Sequence, residues 1–148
     1  MALYEQINAD LKTAMKGGDK PRVETLRFVL AGLNSFQKDK NAKQPGVAIT
    51  DEETVSVLQK EIKRRKESIE LFKQGKRDDL VSKEEGDLAF IAVYVPKELS
   101  REEIEAIVDG VIAAGASDFN AAMRETMKAV KGRADGKAVG EVIKAKLG

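Results

Sequence analysis

The chain has 148 residues, of which 42% are hydrophobic and 34% are charged, a balance that predicts an aliphatic core beneath a highly charged surface. It contains no cysteine and no histidine, which excludes disulfides, thiolate metal sites and nucleophilic catalysis of the Ser-His-Asp or Cys-His type. The formal net charge is +1, from 26 basic and 25 acidic residues, so any binding of nucleic acid must rely on a local cluster of charge.

The amino-terminal segment MALYEQINADLKTAMK places acidic residues between its apolar positions, which is unlike a secretory signal. No stretch approaches the roughly 20 apolar residues that are needed to span a bilayer. We therefore expect a cytoplasmic protein that has no membrane partner. Without Cys and His, a transition-metal site would have to rely on carboxylates alone, and we expect neither a metal nor another cofactor.

Two helices are predicted in the first part of the chain. The first ends at the Gly17–Gly18 pair and carries an apolar stripe at four-residue spacing, formed by Leu3, Ile7, Leu11 and Met15. The second starts with Asp19 as a cap and Pro21 in its first turn, and it runs to about Lys38. The segment KDKNAKQPGVAI, residues 38–49, concentrates Lys, Asn, Pro and Gly, which predicts an exposed loop.

A third, long helix opens with a capping box formed by Thr50 and Glu53. Its apolar positions follow alternating steps of three and four residues, and this pattern places Arg65 where an apolar residue is expected. An unpaired buried charge is costly, so Arg65 is predicted either to pair with a carboxylate across the bundle, with Glu84 and Asp87 as candidates, or to keep its charged end exposed.

A fourth helix stops at Pro96, and the boundary between two domains, residues 1–96 and 97–148, is predicted there. The second domain is predicted to be a bundle of three short helices. The first of these opens with a capping box formed by Ser100 and Glu103, the second is capped by Ser117 or Asp118, and a tight turn at residues 132–136 precedes the third. The sequence thus predicts an all-α protein with about four helices followed by three.

Two segments of the chain resemble the YqeY family: VYVPKELSREEIEAIVDGVI, residues 93–112, and MKAVKGRADGKAVGEVIKAKL, residues 127–147. In that family a Tyr-hydrophobic-Pro segment ends a helical amino-terminal domain, and residues 94–96 match it. The resemblance extends upstream through TLRFVLAGL, residues 25–33, and KRRKESIELFKQGKRDDLV, residues 63–81. It therefore covers nearly the whole chain.

The last third is similar to the tail of the B subunit of the aspartyl/glutamyl-tRNA amidotransferase, in which a Lys-Gly-Lys-Ala-Asn type turn precedes the last helix. The corresponding turn here is KGRADGK, residues 131–137. This resemblance implies a tRNA-associated role, with amidotransferase or aminoacyl-tRNA synthetase components as protein partners. It does not imply catalysis, because ammonia production and carboxylate activation reside in other domains and subunits of that enzyme.

A local excess of positive charge lies in residues 119–148, where seven basic minus three acidic residues give +4. Three of the cations lie at helical steps of four and three, and the two glycines of the turn would let backbone amides approach a phosphate. Solvated charged helix faces are common, so spacing alone favours an ordinary surface, and the family resemblance is what favours RNA. The predicted RNA-binding residues are Arg124, Lys128, Lys131, Gly132, Arg133, Gly136, Lys137, Lys144 and Lys146.

A second group of basic residues is predicted to form either another nucleic-acid patch or structural ion pairs. Its members are Arg27, Lys63, Arg64, Arg65, Lys66 and Arg77. Consecutive helical residues point about 100° apart, so only part of the run at 63–66 can serve one surface. For Arg65 a structural role is favoured over contact with RNA.

These observations predict a tRNA-associated accessory protein that is not catalytic alone, and the acidic clusters at helix starts are assigned to capping and helix-dipole roles. No sequence-specific DNA binding is expected. The alternative is a helical interaction adaptor that does not bind RNA, in which a groove between the domains holds a peptide or subunit. A carbon–nitrogen ligase that uses glutamine as amido donor is a third hypothesis, which rests on family analogy only.

Overall fold

A computed structural model describes all residues from Met1 to Gly148 and confirms an all-α protein. The chain divides into two compact units, Met1–Val95 and Pro96–Gly148. None of the helices is both long enough and apolar enough to cross a membrane. The seven helices are α1 Leu3–Gly17, α2 Lys20–Lys43, α3 Asp51–Gln74, α4 Asp78–Ala92, α5 Arg101–Ala113, α6 Phe119–Val130 and α7 Gly136–Leu147.

The first unit packs α1 to α4 around an aliphatic core. The side chains at its centre are almost completely removed from water, and they include Ile7, Leu26, Leu33, Leu58 and Ile91. Two helix ends follow the sequence: the predicted capping box at the start of α3 is present in both directions, and Gly18 ends α1 in the left-handed conformation at φ 70°. The fourth helix differs, because α4 ends at Ala92, four residues before the proline that was predicted to stop it.

The end of α2 differs from the prediction, because the helix continues five residues beyond Lys38 to Lys43. It stops just before Pro45, a residue that disfavours helical geometry in its predecessor. The following segment folds back along the last turns of α2. The Gln37 side chain accepts from the Ile49 amide at 2.6 Å and donates to the Val47 carbonyl at 3.0 Å, and these bonds hold the following segment against α2.

The second unit is a bundle of α5, α6 and α7 around its own apolar core, which includes Val108, Val130, Val139 and Ile143. The predicted capping box opens α5. Of the two residues predicted to cap α6, Asp118 does so, since its carboxylate accepts from the Ala121 amide at 2.8 Å. The bundle thereby sets α6 and α7 on either side of the turn that carries the predicted RNA-binding residues.

Candidate nucleic-acid interface

The turn between α6 and α7 is shaped by two successive residues in the left-handed conformation, Lys131 at φ 49° and Gly132 at φ 78°. The amide of Arg133 then donates to the Val130 carbonyl at 2.9 Å, which closes the turn against the end of α6. Because the chain reverses within a few residues, Lys131 and Lys137 flank one end of the bundle, and both are exposed.

Two further predicted residues, Arg124 and Lys128, lie one helical turn apart on the exposed surface of α6. Each has Glu125 as an acidic neighbour, at 4.0 Å from the Arg124 Nε and 3.4 Å from the Lys128 Nζ. Exposed ion pairs of this kind are worth only about 0–1 kcal/mol, so a phosphate group can compete for both cations. We refer to Arg124, Lys128, Lys131 and Lys137 together as the turn surface.

Arg133 has a structural contact within the second unit. Its Nε donates to the Lys97 carbonyl at 2.9 Å, and its own carbonyl accepts from the Leu99 amide at 2.8 Å. The half-buried arginine therefore fastens the segment before α5 to the turn. Because the Arg133 Nε is engaged by Lys97, any contact of Arg133 with RNA has to be made by its two terminal guanidinium nitrogens.

The amino terminus of α7, where a phosphate would be attracted by the helix dipole, already holds a carboxylate. Asp135 Oδ1 accepts from the Ala138 amide at 2.8 Å and caps the helix. Packing does not require a glycine at position 136, since a Cβ there would lie 3.9 Å from the Met123 Cε, an ordinary contact distance, and the close approach of the Gly136 backbone to a phosphate stays a prediction. The turn therefore offers lysine side chains more readily than a backbone cradle.

The last two predicted residues, Lys144 and Lys146, point towards different helices. The Lys144 Nζ lies 5.9 Å from the centre of the Phe119 ring in α6, whereas the Lys146 Nζ lies 3.2 Å from an Asp109 oxygen in α5. Side chains two positions apart on a helix point in directions that differ by about 200°, which explains why these two lysines reach different helices. Both lie in the last turn of α7, roughly 10 Å or more along the helix from Lys137.

The second basic group does not form one surface, because its central member is turned inward. The Arg65 side chain is 11% exposed and pairs with Glu84 at 3.1 Å and Asp87 at 3.4 Å, the two carboxylates that were candidates for it. It also donates from Nε to Glu61 at 3.0 Å. Lys83 reaches Asp87 at 3.2 Å. Sequence reasoning missed Glu61, although its position four residues before Arg65 on the same helix is a usable signal.

The other members of that group are dispersed over the first unit. Arg64 is 69% exposed and pairs with Glu61 at 2.6 Å. Arg27 lies beside the Met15 sulfur at 3.9 Å, and Arg77 pairs with Asp79 at 3.3 Å, a hydrogen bond that holds the pKa of the Asp79 carboxyl below its usual value. Of the two remaining members, Lys63 is exposed and Lys66 is half-buried.

A polar cluster that no local pattern indicated joins α1 to the end of α4. The Tyr94 hydroxyl donates to a carboxylate oxygen of Asp10, from which it is separated by 84 residues along the chain. The pKa of Tyr94 is raised from 10.0 to about 12, mainly by partial burial and secondly by the bond to Asp10. The nearby Arg22 acts in the opposite direction and lowers this pKa. The cluster fixes the chain where it leaves the first unit.

Comparison with known proteins gives a family and several fungal relatives. The family model described as Yqey-like protein matches residues 4–147. The chain is 33% identical over 154 aligned positions to the altered inheritance of mitochondria protein 41, mitochondrial, of Pyrenophora tritici-repentis, covering 97% of this chain and 80% of that protein. The Saccharomyces cerevisiae protein of the same name is 32% identical over 94 residues, 64% of this chain and 49% of its own length. An uncharacterized protein of Schizosaccharomyces pombe is 32% identical over 66% of this chain and 76% of its own.

Proposed function

This chain belongs to the YqeY-like family, and from that premise we propose that it is a tRNA-associated accessory protein that binds tRNA through the turn surface. The family resemblance is what favours RNA, and the observation that supports this surface is its four exposed cations, with only Glu125 and Asp135 as acidic residues between positions 119 and 137. The four cations of the turn surface are all exposed on α6 or beside the following turn. A polyanion would meet this charge without displacing any part of the core.

The chemistry of the turn surface favours contact with the phosphate backbone. Three of its four cations are lysines, which are compact point charges, whereas reading a base needs a hydrogen-bonding fork, which Arg124 alone of the four carries, or a stacking platform. The one aromatic side chain of the second unit, Phe119, lies near the Lys144 ammonium at the opposite end of α7 from the turn. We therefore expect binding that depends on the shape and charge of tRNA more than on its sequence.

A salt series with fluorescently labelled tRNA tests the proposal directly. The triple variant Lys128→Glu, Lys131→Glu and Lys137→Glu should lose about tenfold or more in affinity at low salt, because phosphate contacts release counterions from the nucleic acid. The slope of log affinity against log salt should fall by about 1 for each phosphate contact that is lost. Unchanged affinity in this variant would refute the turn surface as an RNA site.

A matched variant controls for net charge. Lys12→Glu, Lys16→Glu and Lys38→Glu reverse three exposed lysines of the first unit and alter the total charge by the same amount. This variant should retain most of the affinity. An equal loss in both variants would mean that the attraction is general and would contradict a local site.

The proposal includes no independent amide chemistry. The isolated chain, supplied with mischarged tRNA and either glutamine or ammonia, should form no amidated product. The proposal leads us to expect protein partners among amidotransferase or aminoacyl-tRNA synthetase components. A pull-down with the tagged full chain tests this expectation, which requires that one of these components is recovered. Detection of amide formation by the purified chain would replace the accessory role with a ligase.

The compartment is also part of the proposal. We propose a cytoplasmic role beside translation, whereas the names of two of the fungal relatives place those proteins in mitochondria. Cell fractionation distinguishes the two locations. So does imaging of two fluorescent fusions, one with the label at the amino terminus and one with the label at the carboxyl terminus.

A further inference from the structure

An open groove runs between α2 and α3 in the first unit. The two helices are antiparallel, as shown by contacts of Lys40 with Glu53 near the connecting loop and of Phe28 with Arg64 further along. The groove has a volume of about 460 Å³. It stays open because α2 presents Ala31 and Gly32 there, and these residues have too little side chain to fill the space opposite α3.

The floor and walls of the groove are largely apolar. Val29 and Leu58, both members of the core, form part of the lining, and Val57 stands opposite Gly32 with 3.9 Å between its Cγ1 and the position of a Cβ. At the edge lies Phe28, which is 51% exposed although Leu26 and Val29 close to it in the sequence are buried. A large aromatic side chain left beside an unfilled apolar groove is typical of a binding surface.

The charged residues around the groove give its rim a positive character. Lys60 and Arg64 line it, and both are exposed. The one acidic residue of the lining, Glu61, has its carboxylate engaged by Arg64 at 2.6 Å and by Arg65 at 3.0 Å. The guanidinium groups of Arg64 and Arg65 also lie 6.0 Å and 5.4 Å from the centre of the Phe28 ring. An incoming group therefore meets an apolar floor and cations at the edge.

We propose that this groove binds an amphipathic helix of a partner protein, which inserts a large apolar side chain beside Phe28 and places acidic residues against Lys60 and Arg64. A helix suits a groove between two helices, because its anchors at spacings of three and four residues lie along one line. Complementary charge at the rim sets orientation and speeds encounter. The site lies in the other unit from the turn surface, so it adds a protein partner to the proposed tRNA role.

A synthetic peptide probe tests the groove in the full chain. The probe is a helical peptide of roughly 16 residues, long enough for about four turns, with Trp and Leu on one face and Glu on the flanks. Since the protein contains no Trp, emission from the peptide reports binding alone. A second peptide with Lys in place of every Glu is the matched control. The acidic peptide should bind at least about tenfold more tightly than the basic one at low salt, a difference of about 1.4 kcal/mol.

Two variants locate the binding within the groove. Ala31→Leu fills it from an exposed helical position and should weaken the acidic peptide about tenfold. Ala42→Leu, at an exposed position of α2 outside the groove, should leave the affinity unchanged. Lys60→Glu should weaken the acidic peptide and strengthen the basic one, whereas Lys43→Glu should do neither. Thermal melting of each variant establishes that the fold is retained.

Several results would overturn the inference. Equal binding of the two peptides, or full affinity in Ala31→Leu, would show that the groove does not select an acidic helix. Displacement of the peptide by single-stranded RNA would assign the groove to nucleic acid. The tRNA proposal has a separate outcome: Ala31→Leu should bind tRNA normally, and the triple reversal at the turn surface should bind the acidic peptide normally.

Discussion

The densest basic run of the sequence, residues 63–66, and the basic residues around the turn after α6 behave differently in the folded chain. The Arg65 side chain is 11% exposed and meets three carboxylates, whereas Lys128 is 69% exposed with one acidic neighbour. Ion pairs that are shielded from water hold their cation, while exposed pairs exchange readily with solvent and ligands. Density of positive charge along a sequence therefore does not measure the charge that a polyanion can reach.

The largest expected effect is on the inward-facing cluster. Arg65→Met leaves Glu61, Glu84 and Asp87 without their shared cation and should destabilise the first unit by about 3–5 kcal/mol. Urea unfolding followed by tyrosine fluorescence measures this unit selectively, because the two tyrosines of the chain both lie in residues 1–95.

The neighbouring Arg64 supplies the control, since it is 69% exposed. Arg64→Ala should cost no more than about 1 kcal/mol, as expected of an exposed pair. If the two variants lowered the free energy of unfolding equally, the distinction between the inward and outward cations would fail.

A smaller effect is expected for Arg133, which lies beside the turn surface but bonds to the Lys97 carbonyl. Arg133→Ala should destabilise the second unit by about 1–2 kcal/mol, the range for a hydrogen bond from a charged donor that is partly solvated. Amide hydrogen exchange at Leu99 should accelerate, because the segment before α5 loses an attachment. Arg124→Ala, an exposed change, should leave this exchange rate unaltered. Weaker tRNA binding with unchanged exchange in Arg133→Ala would instead make Arg133 chiefly an RNA contact.

The Tyr94 cluster predicts a dependence of stability on pH. The pKa of Tyr94 is raised to about 12 in the folded chain from an ordinary 10.0, so its contribution is complete below pH 10 and is lost as pH rises towards 12. The loss should be about 1 kcal/mol, because solvent around the half-buried ring screens the interaction. Urea unfolding of the wild type and Tyr94→Phe across this range measures it. A wild type that follows the same pH dependence as Tyr94→Phe would contradict the prediction.

The smallest expected effect concerns the negative charge of the Asp135 carboxylate beside the turn. Asp135→Asn keeps a side-chain acceptor for the Ala138 amide but removes a negative charge from the amino terminus of α7. The affinity for tRNA should rise about two- to threefold, within the range of about 0.3–1 kcal/mol for a charge at a helix end. Asp118→Asn makes the same substitution at the cap of α6 and should have no such effect. Reduced affinity in Asp135→Asn would indicate that the carboxylate itself holds RNA.

Much of the fold was predictable because its signals are local. Apolar spacing indicated each helix, and the capping boxes at Thr50 and Ser100 marked two of the starts correctly. The end of α2 was placed too early because a Lys- and Asn-rich composition resembles a loop, and the bonds from Gln37 to the following segment are contacts that composition does not report. The bond from Tyr94 to Asp10 left no signal, because it joins residues 84 positions apart.

Residue order alone was enough to indicate the family resemblance, the all-helical architecture and the positions of most helix ends. These properties follow from neighbours within one or two helical turns, where periodicity and capping chemistry act. Which cations face carboxylates and which face water depends on the rotation of each helix against its partners, and this rotation is set by packing between residues far apart in the chain. The same rotation left Phe28 exposed beside the groove between α2 and α3, and it directed Lys144 and Lys146 towards different helices.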